Sequence, residues 1–235
     1  MKIAIIGYGK MGQLIEELAL KRGHQIVGVV DVDQWDNEKI NKADVAIEFT
    51  NPDSAFDNII RCFNLNIPVV VGTTGWYDDF EIVKNKCNEL NGALLAATNF
   101  SLGVNIFFEI NKKLASLMNA NKQYKPQILE THHLQKLDSP SGTAITIATG
   151  MLEELTAYDS WKEAEKVKDH ILKIQSFRKA DIPGTHRVEY NSSEDKISIE
   201  HEALNRNGFA LGAVIAAEFL QDKKGIFSMK EVLGL

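Results

Sequence analysis

The chain has 235 residues, 44% of them hydrophobic and 25% charged, and carries a formal net charge of −6. That length suffices for one large or two small domains with a well-buried core, and the acidic balance argues against nucleic-acid partners, which need a basic face. No stretch reaches 18 apolar residues and Met1-Lys2 runs straight into a short apolar segment broken at Gly7, so neither a membrane partner nor a secretory leader is expected, and the location expected is cytoplasmic.

Residues 2–6, 25–30, 45–49, 69–71 and 93–97 are short apolar runs rich in β-branched side chains, bounded by Gly, Asn, Asp or Pro, which predicts strands. Between them, residues 10–22, 53–64 and 76–90 carry helical spacing, with Asp53 placed as an N-cap just after Pro52. Cys62 and Cys87 fall on these helices; they offer no disulfide framework or metal spacing and read as packed thiols. Apolar strands alternating with helices predict a parallel sheet covered on both faces. After Asn99 the pattern changes. A long helix is predicted at 101–119 (apolar at Val104, Phe107, Phe108, Leu114 and Leu117), a strand at 127–131, a helix at 142–155, and strands at 171–177, 186–190 and 196–202. Consecutive strands without helices between them predict a mixed or antiparallel sheet and hence a second, α+β domain. The charged insert at 160–169 reads as a solvated helical turn. Residues 209–220 form a last strong helix, and 226–233 a closing segment expected to pack back on the first domain.

Gly7-Tyr8-Gly9-Lys10-Met11-Gly12 follows the first strand and opens the first helix, the context that a dinucleotide loop requires. Gly7 permits the tight turn, Gly9 lets a pyrophosphate approach the backbone, and Gly12 lets helix and strand pack closely. Asp31, 19 residues beyond Gly12, ends the second strand and can accept hydrogen bonds from the adenosine ribose. A 2′-phosphate there would meet a like charge, and Val32-Asp33 adds no arginine, so NADH is expected to be preferred over NADPH. Phe49-Thr50 and Gly72-Thr73-Thr74-Gly75 close the third and fourth strands, at the carboxyl edge where ligands bind in such sheets; the glycine-threonine loop reads either as room for a nicotinamide ring or as a plain strand-to-helix turn. The predicted fold class is α/β: a Rossmann-like dinucleotide-binding domain of residues 1–100 and 207–235, with a smaller α+β substrate-binding domain of residues 101–206.

The densest chemistry lies in Glu130-Thr131-His132-His133-Leu134-Gln135-Lys136-Leu137-Asp138-Ser139-Pro140-Ser141-Gly142-Thr143. Imidazole exchanges protons near neutrality, lysine brings a positive charge, and Ser-Gly-Thr at a helix start offers N–H groups to an anion. A proton donor beside an anion clamp suits a small, negatively charged substrate. Of the remaining histidines, His24 reads as a turn residue, His170 as exposed and His201 as structural, while His186 is equally compatible with the site and with packing. Glu200 and Glu202 alternate with His201 on a strand, so no metal site is expected there.

These residues resemble the 4-hydroxy-tetrahydrodipicolinate (dihydrodipicolinate) reductase family of diaminopimelate and lysine biosynthesis. The resemblance spans nearly the whole chain. It rests on the loop at 7–12, on Gly72-Thr73-Thr74-Gly75, on Asn99-Phe100-Ser101-Leu102-Gly103-Val104-Asn105, and on E-x-H-H-x-x-K-x-D-x-P-S-G-T-A from Glu130 to Ala144. It implies a homotetramer, with NAD(P)H giving hydride to C4 of a cyclic imine dicarboxylate, and no metal. It further implies His132 as proton donor to the neighbouring ring carbon and Lys136 as the cation that polarises the substrate. His133, Ser141, Gly142 and Thr143 would bind the substrate. Gly7, Gly9, Lys10, Met11, Gly12, Asp31, Phe49, Thr50, Gly72, Thr73, Thr74, Ala97, Thr98, Asn99 and Phe100 would bind the cofactor. Donor and nicotinamide would lie on different domains, so the domains would have to close. The chain departs from the family where arginines often stand, at Lys10 and Gln13, and in Arg178-Lys179-Ala180, where alanine replaces glycine. Two other readings stay open: another NAD-dependent dehydrogenase acting on an amino or keto acid, and an NADH-sensing regulator without turnover.

Overall fold

The computed structural model describes residues 1–31 and 35–235. The chain forms two compact units, one made of Met1–Leu102 and Asn207–Leu235, the other of Gly103–Arg206.

The first unit is built on a six-stranded sheet of β1 (Lys2–Ile6), β2 (Gln25–Val30), β3 (Val45–Glu48), β4 (Val69–Val71), β5 (Ala93–Ala96) and β11 (Gly225–Phe227). The order is β11-β5-β4-β3-β1-β2, every pair parallel. Strand alternation sorts the side chains into two layers. Ile3 and Ile5 face one layer with α1 (Lys10–Lys21) and α7 (Asn207–Leu220). Ala4 and Ile6 face the other, with α3 (Pro52–Asn64) and α4 (Phe80–Glu89), where Cys62 and Cys87 are both buried. The C-terminal stretch belongs here for stated reasons. Glu218 of α7 takes both Arg22 (2.8 Å) and His24 (2.7 Å), and Gly212 lets α7 press on the Phe100 carbonyl, which a Cβ would approach to 1.8 Å.

The second unit holds a five-stranded mixed sheet in the order β10-β9-β6-β8-β7. Its strands are β6 (Lys125–His132), β7 (Ser160–Glu163), β8 (Ile171–Arg178), β9 (Gly184–Asn191) and β10 (Lys196–Ala203). β6 runs parallel to β8 and antiparallel to β9. Phe107 and Ala115 of α5 (Leu102–Met118) and Ile147 and Met151 of α6 (Gly142–Leu152) cover the Ile128, Ile174 and Val188 side of the sheet.

Local departures from the sequence reading have simple causes. The start of the insert at 160–169 is not a helical turn but the edge strand β7, parallel to β8. Trp161 packs against the core while Ser160 and Lys162 stay exposed, a period of two that suits a charged edge. Asn51, not Asp53, caps α3, its Oδ1 accepting from Ser54 N at 3.1 Å, because Pro52 takes the first helical position. The 76–90 segment enters through a 3₁₀ turn at Tyr77–Asp79 before α4 begins. A short helix not expected from the sequence, α2 (Asn37–Ile40), is capped by Asp36. The closing segment comprises β11 and then α8 (Met229–Leu233), which a capping box from Ser228 and Glu231 starts.

Candidate active site

In the first unit, β1 pairs with β2 on one side and β3 on the other, so the winding direction of the sheet reverses between β1 and β3. Ligands bind in the crevice at such a switch point, beyond the strand carboxyl ends. A cavity of about 400 Å³ lies there, lined by Gly7, Tyr8 and Gly9 after β1, Asp31 after β2, and Phe49 and Thr50 after β3. Gly7 has φ +93, and a Cβ would come within 2.0 Å of the Phe49 carbonyl oxygen. Gly12 is equally confined, 2.1 Å from the Gly7 oxygen, whereas Gly9 has nothing within 4 Å. The loop backbone is thus open at Gly9 and closed at Gly7 and Gly12, which fits a dinucleotide pyrophosphate. Lys10 is exposed at the first position of α1, and Met11 packs beside the core.

Glu48, fully buried at the end of β3, ties two strand ends together. It accepts from Thr50 N (3.2 Å) and from the Thr50 hydroxyl, while Thr50 N also donates to Thr73 Oγ1 at 2.7 Å. Burial raises the Glu48 carboxyl above the ordinary carboxylate range, against the hydrogen bonds from Thr50, Thr73 and Asn58. The space that a Gly72 side chain would fill holds the Phe49 ring, 2.0 Å from the Cβ position, so packing explains the glycine. Phe49 in turn sits 5.8 Å from Phe100. Thr74 and Thr98 are exposed, and Ala97 and Asn99 half-buried, in the loops that follow β4 and β5. The sequence reading missed one pair at this cavity: the Arg61 guanidinium lies 5.3 Å over the Trp35 ring, and both line the cavity along with the glycine loop. Ser54, Asp57, Asn58 and Arg61 recur at helical spacing on α3, a stripe that only the turn of the helix reveals. Val32 and Asp33 lie outside the described residues.

In the second unit, Glu130 and His132 share a face of β6 and are both buried. Ser141 caps α6, its Oγ accepting from Ala144 N at 3.1 Å. Gly142 and Thr143 therefore form the first turn of α6, at the positive end of its dipole. His186 lies opposite Glu130 in the β6–β9 register and meets Ser141 Oγ through Nε2 at 3.1 Å. Its ring is 5.0 Å from that of His132. Burial foremost, then His132, pushes His186 down to about 3, so it is neutral in the folded chain. Burial would raise Glu130, but contacts with His132 and Ser141 outweigh it and hold the carboxyl well below its usual range. Lys136 pairs with Asp138 at 2.8 Å, and this keeps Asp138 low despite burial. Arg178 fastens the intervening loop, donating to the carbonyls of Asp138 (2.7 Å) and Lys136 (3.4 Å). His133 is half-buried, and burial together with Arg206 lowers its pKa. Gly184 is small because the His132 ring lies over it, Nε2 being 3.0 Å from a Cβ position there.

Glu130, His132 and His186 also bring three potential ligand atoms within 4.8 Å of one another. Arg178 Nη1, 3.5 Å from the Glu130 carboxylate, already brings positive charge to that cluster. Sequence reasoning named His132, Lys136, Ser141, Gly142 and Thr143, and these gather around one loop. It did not name Glu130 or Arg178 as site groups, although the spacing Glu130-x-His132 on a strand already put two titratable side chains on one face.

Residues 1–100 match the family profile described as dihydrodipicolinate reductase, N-terminus, and residues 103–233 match that of the C-terminus. The chain belongs to the dihydrodipicolinate reductase family. It is 52% identical over 235 residues to a 4-hydroxy-tetrahydrodipicolinate reductase of Christiangramia forsetii, covering 99% of this chain and 98% of the relative. A second enzyme of that name, from Alkaliphilus oremlandii, is 33% identical over 100% of this chain and 99% of its own length. The dipicolinate-bound dihydrodipicolinate reductase of Paenisporosarcina sp. TG-14 has the same fold (TM-score 0.74, 23% identity, 97% of each chain covered). The chain is thus an NAD(P)H-dependent oxidoreductase with a Rossmann-like sheet and a second, mixed one. No helix among the described residues is long and apolar enough to cross a membrane.

Proposed function

We propose that this chain reduces 4-hydroxy-tetrahydrodipicolinate to tetrahydrodipicolinate, with His132 as proton donor and Lys136 as the cation beside the substrate. The observation that carries this reading is the convergence of His132, at the end of β6, and the first turn of α6 on one buried cluster, through Glu130 and Ser141. A bound reduced nicotinamide supplies the hydride, which goes to ring C4. Gly142 and Thr143 hold a substrate carboxylate at the helix N-terminus, assisted by Ser141 and His133. Lys136 exchanges Asp138 for the substrate and offsets the negative charge that hydride addition builds up. His132 then delivers its proton to the ring carbon next to C4.

The cofactor is held by Gly7, Gly9, Lys10, Met11 and Gly12, with Asp31 at the ribose. Phe49, Thr50, Gly72, Thr73, Thr74 and residues 97–100 shape the nicotinamide end. We take NADH to be preferred, since Asp31 lines the cavity and the Arg61 guanidinium, which lines it too, is held over Trp35. No metal enters this mechanism. The working form is taken to be a cytoplasmic homotetramer, as the family resemblance implies.

NADH oxidation followed with freshly generated substrate tests the proposal. Wild type should turn over, and His132→Gln should lose at least about 100-fold in kcat, as for a general acid. Lys136→Ala should lose activity as well. Activity that survives both changes would move the acid elsewhere. Tight NADH binding without turnover by wild type would favour the sensor, and turnover of another amino or keto acid the other dehydrogenase.

A further inference from the structure

The mechanism above gives no role to a buried acid at its centre. Glu130 is 1% exposed, and no part of the proposed chemistry calls on it. Its Oε1 accepts from the backbone N–H of Ser141 at 3.1 Å. Its Oε2 lies 3.2 Å from His132 Nδ1 and 3.7 Å from His186 Nε2, and Arg178 Nη1 is 3.5 Å from Oε1. The Oε2–Nδ1 contact is within hydrogen-bond distance but not aligned as a hydrogen bond, and neither atom has another hydrogen-bond partner among the described residues. Ser141 is the N-cap of α6, and its Oγ bridges Ala144 N and His186 Nε2. One carboxylate therefore touches the imidazole and the helix start that the two halves of the proposed site depend on.

We infer that Glu130 is a positioning residue that sets the tautomer of His132 and, at the same time, anchors the N-terminus of α6, with His186 as the second support of that helix. This rests on the reading of His132 as donor and of α6 as the carboxylate clamp. The chemistry is specific. A carboxylate has only acceptor atoms, so the nitrogen facing it must carry hydrogen. Nδ1–H then stays on the ring throughout, and Nε2 is the nitrogen that gives up the proton to the substrate and recovers it afterwards. In a glutamine the amide oxygen stays with the donors at Ser141 N and Arg178, which turns its NH2 toward Nδ1 and reverses that assignment. The charged and titratable groups around Glu130 are His132 on β6, Arg178 on β8, His186 on β9 and, in the following loop, Asp138 with its partner Lys136.

The test joins long-range ¹H–¹⁵N spectra of the imidazoles with steady-state kinetics and calorimetric binding of dipicolinate. In wild type, His132 should show a protonated Nδ1 across the neutral range. Glu130→Gln should move the proton to Nε2, lower kcat by roughly ten- to a hundredfold, and shift the acid limb of the kcat–pH profile. It should also weaken dipicolinate binding several-fold. Glu130→Asp, which keeps the charge but is one methylene shorter, should recover the wild-type tautomer and part of kcat. His186→Asn should weaken dipicolinate binding while leaving the His132 tautomer unchanged, a result available even if Glu130→Gln fails to fold. A wild-type His132 with a bare Nδ1, or a folded Glu130→Gln with wild-type spectrum and pH profile, would overturn the inference. Wild type inactive on the hydroxylated substrate but with protonated Nδ1 would instead sink the functional reading and leave the tautomer assignment standing.

Discussion

Gly9 and Gly12 belong to one loop, yet the structure gives them opposite duties, and alanine at each separates the two. A Cβ at Gly12 would lie 2.1 Å from the Gly7 carbonyl oxygen and 3.0 Å from the carbonyl carbon. Both are backbone atoms, so neither can rotate away, and ordinary contact requires the helix to retreat by about 1 Å or more. Overpacking of this kind costs about 1–3 kcal/mol, and in a chain of this size each kcal/mol lowers Tm by about 2–4 °C. Gly9 has φ −73 and ψ −162, which alanine adopts freely, and its Cβ would meet nothing within 4 Å. Gly9→Ala should therefore leave Tm unchanged or raise it slightly, since alanine restricts the unfolded chain by about 0.4–1 kcal/mol. The same methyl stands where the pyrophosphate would approach, so the Kd for NADH should rise at least about tenfold, or about 1.4 kcal/mol. Thermal melts of both variants with calorimetric NADH titrations give the answer. Gly9→Ala binding NADH as tightly as wild type would remove the pyrophosphate from that loop. Gly12→Ala melting at the wild-type temperature would refute the packing argument.

Acid sensitivity should trace to the second unit. His186, held neutral by burial and pushed down to about 3, takes a proton in the unfolded chain once pH falls below its ordinary value. Its contribution is full above about pH 6.5 and declines toward pH 3 by up to about 1.4 kcal/mol per unit. His186→Asn should flatten that decline in urea melts, and a parallel acid limb would contradict the assignment. Glu48 has the opposite sign: its raised carboxyl binds a proton more tightly when folded, so stability falls as pH rises above the usual carboxylate value. Glu48→Gln should match or exceed wild-type stability at neutral pH and lose that advantage in acid, as chemical denaturation at the two pH values would reveal. Gly184→Ala should press on the His132 ring from 3.0 Å, lowering kcat more than it changes the KM for NADH. Unchanged kcat would mean that the ring can yield without cost to the reaction.

Much of the first unit was readable because its signals are local. β1, the glycine loop and α1 follow one another without a gap, and Gly12 answers to a backbone contact with Gly7 in the same loop. Ser141 opening α6 was legible for the same reason, as a cap is decided within four residues. The edge strand β7 was not, because a charged stretch becomes a strand only when β8 is beside it. Asp53 was read as the cap of α3, but Pro52 takes the first helical position and so puts Asn51 at the cap. His186 had equal claims to packing and to the site, and only the pairing of β6 with β9 set it against Glu130.

The linear order of residues by itself determined which groups could act: the dinucleotide loop, the acid, the cation and the helix that opens on Ser-Gly-Thr. Their chemistry comes with the side chains, and their spacing along one strand, loop or helix is enough to bring them near. What tertiary structure decided is how those groups are held and which protonation they keep. Ser141 and His186 are 45 positions apart in the chain, and Arg61 meets Trp35 across the cavity wall. Such pairings come from strand register and helix rotation, and the burial that shifts His186, Glu130 and Glu48 exists only once each unit has packed its helices on its own sheet.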